Sequence, residues 1–241
     1  MKEMKKMKEM KEMKRVQLVI VALLLSCMAL QAQNAFFPTK AGMKMLYANQ
    51  DAKGKTESHT RHTIKNVEGS GMNLTISYVM ESFDKNMKPS SNQPSEIPCT
   101  VIIKDGVVML DMNQMFVDQM KVPDLKVEVT GIPMELPSTL QPGQSLKDAN
   151  MTLTIDAGIL KMKTDMKITD GKCLAIEDVT VRAGTFTCHK ITQTVTTTVM
   201  RKNVVATTVT WYAPGIGTVK TETYNDKNQL TRSTELISIE Y

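Results

Sequence analysis

The sequence predicts an all-β protein: a single antiparallel curved sheet of about a dozen strands that forms a closed or half-open barrel, preceded by a helical signal peptide. Three observations lead there. From Met43 onward, short runs alternate apolar and polar residues, are divided by Gly, Asp, Asn and Pro, and show almost no helical period. Many runs are joined by short turns, among them DAKGK, EGSG, KDG, TDGK, RAG and NDKNQ, which favours hairpins between chain neighbours. About a dozen strands cannot lie in one flat sheet without exposing a large apolar face, so the sheet must curl or split into layers.

Residues 1–32 read as the signal peptide. A charged n-region, MKEMKKMKEMKEMKR, precedes the apolar VQLVIVALLLSCMAL and the small-residue site QAQ. The apolar core from Val16 to Leu30 is interrupted by Gln17, Ser26 and Cys27 and is shorter than the roughly 20 residues that span a bilayer. The repeated MKE triplets exceed what an n-region needs, so translation starts either at Met1 or at Met13. LLSC, Leu24 to Cys27, resembles a lipobox, which would make Cys27 a lipid-bearing first residue. The following MALQA continues the apolar region rather than starting a polar tether, which favours a cut near Ala32 and a soluble product.

Residues 33–241 read as one all-β domain, with thirteen runs in order: MKMLYANQ, TESHTRHTIKNV, MNLTISYVMESF, CTVIIKDG, VVMLDM, KVEVTGIPM, MTLTID, GILKMKTDMKITD, KCLAIEDVTV, TFTCHKITQTVTTTVM, NVVATTVTWYA, GTVKTETY and QLTRSTELISIEY. The clearest is LKMKTDMKI. Leu160, Met162, Thr164, Met166 and Ile168 share one face, and Lys161, Lys163, Asp165 and Lys167 share the other. Residues 84–98 form a polar, Pro-bearing loop, and MNQMFVDQM is the one segment past the signal suited to a helical turn or two. Pro133, Pro137 and Pro142 make IPMELPSTLQPGQSL an irregular connector.

The net charge of +5 and pI near 8.9 belong to the N-terminus. Beyond residue 32 there are 23 basic against 22 acidic residues, which removes the electrostatic footprint of a nucleic-acid binder. His59 and His62 are three apart, so a strand sends them to opposite faces, and they read as exposed strand histidines rather than metal ligands. No HExxH, GxSxG or glycine-rich phosphate loop occurs, and no carboxylate pair suits general acid and base work. The expectation is a monomer without catalytic residues, metal or cofactor. Fourteen methionines outside the signal, with few Phe and Trp, give modest support to an adaptable apolar cavity. Met162, Met166, Phe186 and Trp211 are the candidate contacts to a lipid or other apolar molecule. Contact with a membrane surface is expected only if Cys27 is acylated.

Three stretches carry a family resemblance. FPTKAGMKMLYANQDAKGK, EDVTVRAGTFTCHKI and WYAPGIGTVKTETY with the later STEL occur in the order seen in a 3108-like family of exported bacterial domains of unknown function, which the chain resembles over nearly its whole mature length. Arg182 stands where the family usually has Pro. The family is similar to lipoprotein-carrier and lipocalin-like folds, which implies a curved antiparallel sheet around an apolar cavity and no catalytic residues. Two readings follow: a periplasmic or envelope binding protein for an apolar molecule, or an envelope structural or interaction protein with a filled core and no ligand, which would meet partners through loops such as 84–98 or an exposed edge strand.

Cys99, Cys173 and Cys188 would lie in an oxidising compartment. If Arg182-Ala183-Gly184 is a three-residue turn, Cys188 lies opposite Asp178, five residues from Cys173. That is about 16 Å, against the roughly 4.4 to 6.8 Å a disulfide spans, so a regular hairpin leaves the pair unjoined and only a wide loop would link it. Processing is checked by intact mass of the exported protein. A start at Gln33 or Asn34 without lipid is expected, and a diacylated or triacylated Cys27 would overturn the preferred cut.

Overall fold

Strands that alternate wet and dry side chains pair most readily with their chain neighbours, and here nearly every one does. A computed structural model describes residues 35–90, 96–110, 126–156, 158 and 161–241. Its strands are β1 (Lys44–Asp51), β2 (Thr56–Ser70), β3 (Asn73–Asp84), β4 (Ile97–Lys104), β5 (Val107–Leu110), β6 (Lys126–Ile132), β7 (Glu135–Pro137), β8 (Ala149–Asp156), β9 (Lys161–Val181), β10 (Gly184–Val199), β11 (Lys202–Ala213), β12 (Gly217–Asn225) and β13 (Leu230–Glu240). All thirteen form one antiparallel sheet in the order β6-β8-β9-β10-β11-β12-β13-β1-β2-β3-β4-β5-β7. Among the described residues there is no helix.

The first strand sits in the middle, because β1 pairs with β13 as well as with β2, from Lys44↔Glu240 to Asp51↔Arg232. The edges, β6 and β7, share no ladder, yet they follow one another in the chain with only Pro133 and Met134 between them. The sheet is therefore closed at its seam by the covalent chain and not by hydrogen bonds. Irregularities in the ladders supply curvature, at Leu46/Tyr47, Ile64/Asn66, Lys190/Ile191 and Trp211/Tyr212 among others.

Several turns close by one device. The side chain of Asp51 accepts from the amides of Lys53 and Lys55, that of Asp84 from Asn86 and Lys88, and that of Asn225 from Lys227 and Gln229. This tight turn opens the stretch expected to be loop from 84 to 98, while residues 91–95 and the expected helical turn at 112–120 lie outside the described residues.

Three local expectations are corrected. TDGK is no turn: it lies within β9, where the register against β10 shifts between Thr192 and Thr194, so one long strand replaces two short ones. The connector after β6 contains a short strand, β7, which pairs with β5. Its remainder packs along β9, with Gly143 N donating to Cys173 O at 2.8 Å and Leu146 N to Gly171 O at 2.8 Å, and Leu140 and Leu146 are buried. The close approach explains Gly171, since a Cβ there would meet Leu146 Cβ at 2.9 Å. The β9–β10 turn has two residues, not three: Val181 faces Gly184, and Cys188 lies opposite Glu177 while Cys173 lies opposite Ile191. Cys99, Cys173 and Cys188 are all free and buried.

The two faces of β9 differ as their alternation predicts, with one qualification along its length. Met166 and Ile168 are half-buried, whereas Met162, opposite Ile155, is 38 % exposed. Met166→Asp should lower unfolding free energy in urea by about 2 kcal/mol or more, through a charge placed against apolar neighbours. Lys167→Asp on the exposed face should cost about 0.5 kcal/mol or less, and Met162→Asp should fall between. Equal losses at Met166 and Lys167 would show the face assignment to be wrong.

Candidate ligand cavity

Curling brings residues from opposite ends of the strand order to one space. Met45 and Tyr47 from the central β1, Val101 and Leu136 from one end, and Met151 and Met166 from the other all line a cavity of about 640 Å³. That lies within the roughly 300–1,000 Å³ of small-molecule sites. Among the described residues its lining includes no Lys, Arg, Asp or Glu, and five methionines contribute: Met45, Met109, Met134, Met151 and Met166. Thioethers on flexible stems suit an adaptable apolar wall.

One wall comes from the segment before β1. Phe36 and Phe37 enter the barrel side by side: Phe36 meets the His189 ring at 4.7 Å and Tyr212 at 6.1 Å, and Phe37 meets Tyr78 at 5.3 Å. Gly215 N donates to Ala35 O at 2.7 Å and holds the segment in place. Gly217, at φ +87°, lets it pass, because a Cβ there would sit 3.3 Å from Phe36 O and 3.6 Å from Phe37 Cα.

At the floor, His62 lies between two tyrosines, with ring centroids 4.9 Å from Tyr47 and 5.5 Å from Tyr78. Register explains the grouping: His62 pairs with Met45 and Met80, so its side chain shares their face. Tyr47 Oη donates to Thr218 O at 3.2 Å, which ties β1 to the start of β12, two strands along the sheet. Burial raises the pKa of both tyrosines, most of all Tyr78, and pushes His62 down to about 4. The imidazole keeps appreciable exposed surface, but that surface faces the cavity rather than bulk water.

Of the four ligand contacts expected from sequence, Met166 lines the cavity, and Met162, Phe186 and Trp211 lie outside its lining. Trp211 turns to the other face from Tyr212. It donates to Glu177 Oε1 at 2.7 Å and lies between Lys190 and Lys220, with their ammonium groups 5.0 and 5.1 Å from its ring. Phe186 stands opposite Val179 near the tip of the β9–β10 hairpin. Cys27 lies outside the described residues. His59 and His62 do occupy opposite faces, but neither is an exposed strand histidine: His59 is 9 % exposed, with Nδ1 3.1 Å from Asp84 O, and His62 is inside. The aromatic group Phe36, Phe37, Tyr47, Tyr78 and Tyr212 went unread, because its members are scattered in sequence. Phe36-Phe37-Pro38, shortly before β1, was the one local signal.

Burial of neutral His62 makes stability pH-dependent. Its folded pKa near 4 lies below the ordinary value of 6.5. Between those values the unfolded chain binds more protons, so stability rises with pH there and falls as pH drops from about 6.5 toward 4. His62→Leu should flatten this slope, removing up to about 3 kcal/mol of acid-induced loss in denaturant titrations at pH 7 and pH 4. An identical slope in the variant would place His62 in water.

Solved structures share this architecture. A candidate exported protein with a YmcC-like fold from Bacteroides fragilis superposes with a TM-score of 0.67 at 20% identity, over 86% of this chain and 99% of that one. A candidate lipoprotein from Parabacteroides distasonis gives a TM-score of 0.68 at 21% identity, over 86% and 98% of the two chains. These identities speak for the fold alone. No curated protein matches the sequence. A family model does match, over residues 40–236, and the chain belongs to the DUF3108-like family.

Proposed function

We propose that this is an exported, non-enzymatic binding protein of the cell envelope, whose curved sheet holds a lipid, an acyl chain or another apolar molecule. The observation that carries the reading is the cavity of about 640 Å³ with its uncharged, methionine- and aromatic-rich lining. A core built only for stability fills such space, since packing density in protein interiors matches that of organic crystals. Export is supported by the N-terminal segment and by the descriptions of the two structural relatives as a candidate exported protein and a candidate lipoprotein. The soluble product is the form favoured by the residues after Cys27, with an acylated Cys27 as the alternative tether.

Native mass spectrometry with solvent extraction, on protein exported from its own host, tests the reading. A copurifying apolar molecule is expected. Adding it back at 100-fold excess over Kd should stabilise the stripped protein by about 2.7 kcal/mol. Repeated absence of any such molecule, together with an experimental structure whose core is filled, would leave the structural-protein reading instead.

A further inference from the structure

Resting on the cavity reading above, the polar groups of the lining point to the head of its occupant. Of the three tyrosine hydroxyls there, that of Tyr47 is committed to the Thr218 carbonyl, and those of Tyr78 and Tyr212 interact with the side chains of Cys99 and Thr210. The imidazole of His62 is different. Its ring lies tilted against those of Tyr47 and Tyr78, and neither nitrogen has a hydrogen-bond partner among the described residues. Nor is either nitrogen sealed away, because among the described residues the one buried side-chain polar atom without a partner is Nδ1 of His189. An imidazole with free capacity at the floor of an uncharged cavity is costly unless something bonds to it.

We infer that His62 anchors the polar head of the ligand, and that this head is a carboxyl group, so that the occupant is a long-chain monocarboxylic acid. Among the described residues the lining offers no Asp or Glu to balance a cationic head, and no Lys or Arg to hold a phosphate. A carboxyl and an imidazole meet as a neutral pair, whether the acid keeps its proton and donates to the ring or surrenders it and accepts from the imidazolium. Either way the pair carries one proton and no net charge, which an apolar cavity tolerates. An alcohol head can bond to the same nitrogen, but with a neutral hydrogen bond of roughly half the strength.

Proton linkage follows. Free His62 is neutral at pH 7 and a free carboxylate is ionised, so binding takes up one proton from solution. Among the described residues, no other group packed against the imidazole titrates in that range. Burial raises the pKa of Tyr47 on β1, Tyr78 on β3 and Cys99 on β4, and the Arg61–Glu81 pair lies on the opposite face of β2 and β3. Affinity for the acid should therefore rise about tenfold for each unit that pH falls between 8 and 6, while affinity for an alcohol stays level.

The test uses dodecanoic acid, dodecanol and dodecyltrimethylammonium, each below its aggregation limit, displacing an apolar fluorescent dye from the stripped mature protein at pH 6, 7 and 8. Expected are a preference for acid over alcohol of tenfold or more at pH 6, the unit slope for the acid alone, and the weakest binding for the ammonium. His62→Leu should bring the acid-to-alcohol ratio to about one and abolish the slope. A ratio that survives His62→Leu, or equal slopes for acid and alcohol in the wild type, overturns the assignment of His62. If His62→Leu does not fold, the wild-type slopes decide alone. Dodecanol binding without any acid preference would sink this inference and leave the cavity reading standing, whereas failure of all three probes and the dye would sink both.

Discussion

The structure depends on one constraint: a single sheet of thirteen amphipathic strands has one long apolar face and nothing else to cover it. Among the described residues no helix packs on that face and no second sheet lies against it. The face covers itself by curling, and the ladder irregularities bend the strands enough to allow it. What remains at the centre is set by how tightly the sheet curls. A 13-strand perimeter is larger than the roughly eight strands whose side chains alone fill a barrel, so interior space is left over. The segment at Phe36 and Phe37 takes part of it, and the loop bearing Leu140 and Leu146 braces β9.

The alternation that made the fold legible stops being informative where strands bulge. The face of Met166 and Ile168 could be read directly, because β9 is regular there. Trp211 could not, because β11 runs regularly past it against β10 and alternation alone does not say which face is inner: the residue that turns into the cavity is Tyr212. TDGK looked like a turn on composition. Asp170 does adopt a positive φ of 56°, but the ladder to β10 carries the chain through as a bulge. The cavity itself was beyond local reading. His62 reads as any strand histidine until curvature sets Tyr47 and Tyr78 beside it, from strands on either side of β2.

Polar groups are handled differently on the two faces. Outside, charges sit in cross-strand groups such as Arg61 with Glu81 and Lys190 with Glu177 beside Trp211, where water screens them and each contributes little. Inside, among the described residues, the lining carries no ionic side chain, and Tyr47 spends its hydroxyl on the Thr218 carbonyl. That division keeps the interior dielectric low and makes any unspent polar atom there conspicuous.

The pairing of β1 with β13 also bears on how the chain matures. Lys44–Asp51 can pair with β2 as soon as Ser70 has been made, yet its other edge waits for Arg232–Glu240. At roughly 5–20 residues per second of synthesis, the intervening chain takes about 10 to 40 s to appear. For that interval the centre of the finished sheet is an open edge strand rich in apolar residues, and the meander growing behind it offers many wrong partners. Lys44 at one end and Asp51 at the other put a charge at each end of that edge. Completion of the barrel thus waits for Leu230–Glu240, so a chain that lacks this strand would stall as an unclosed ribbon.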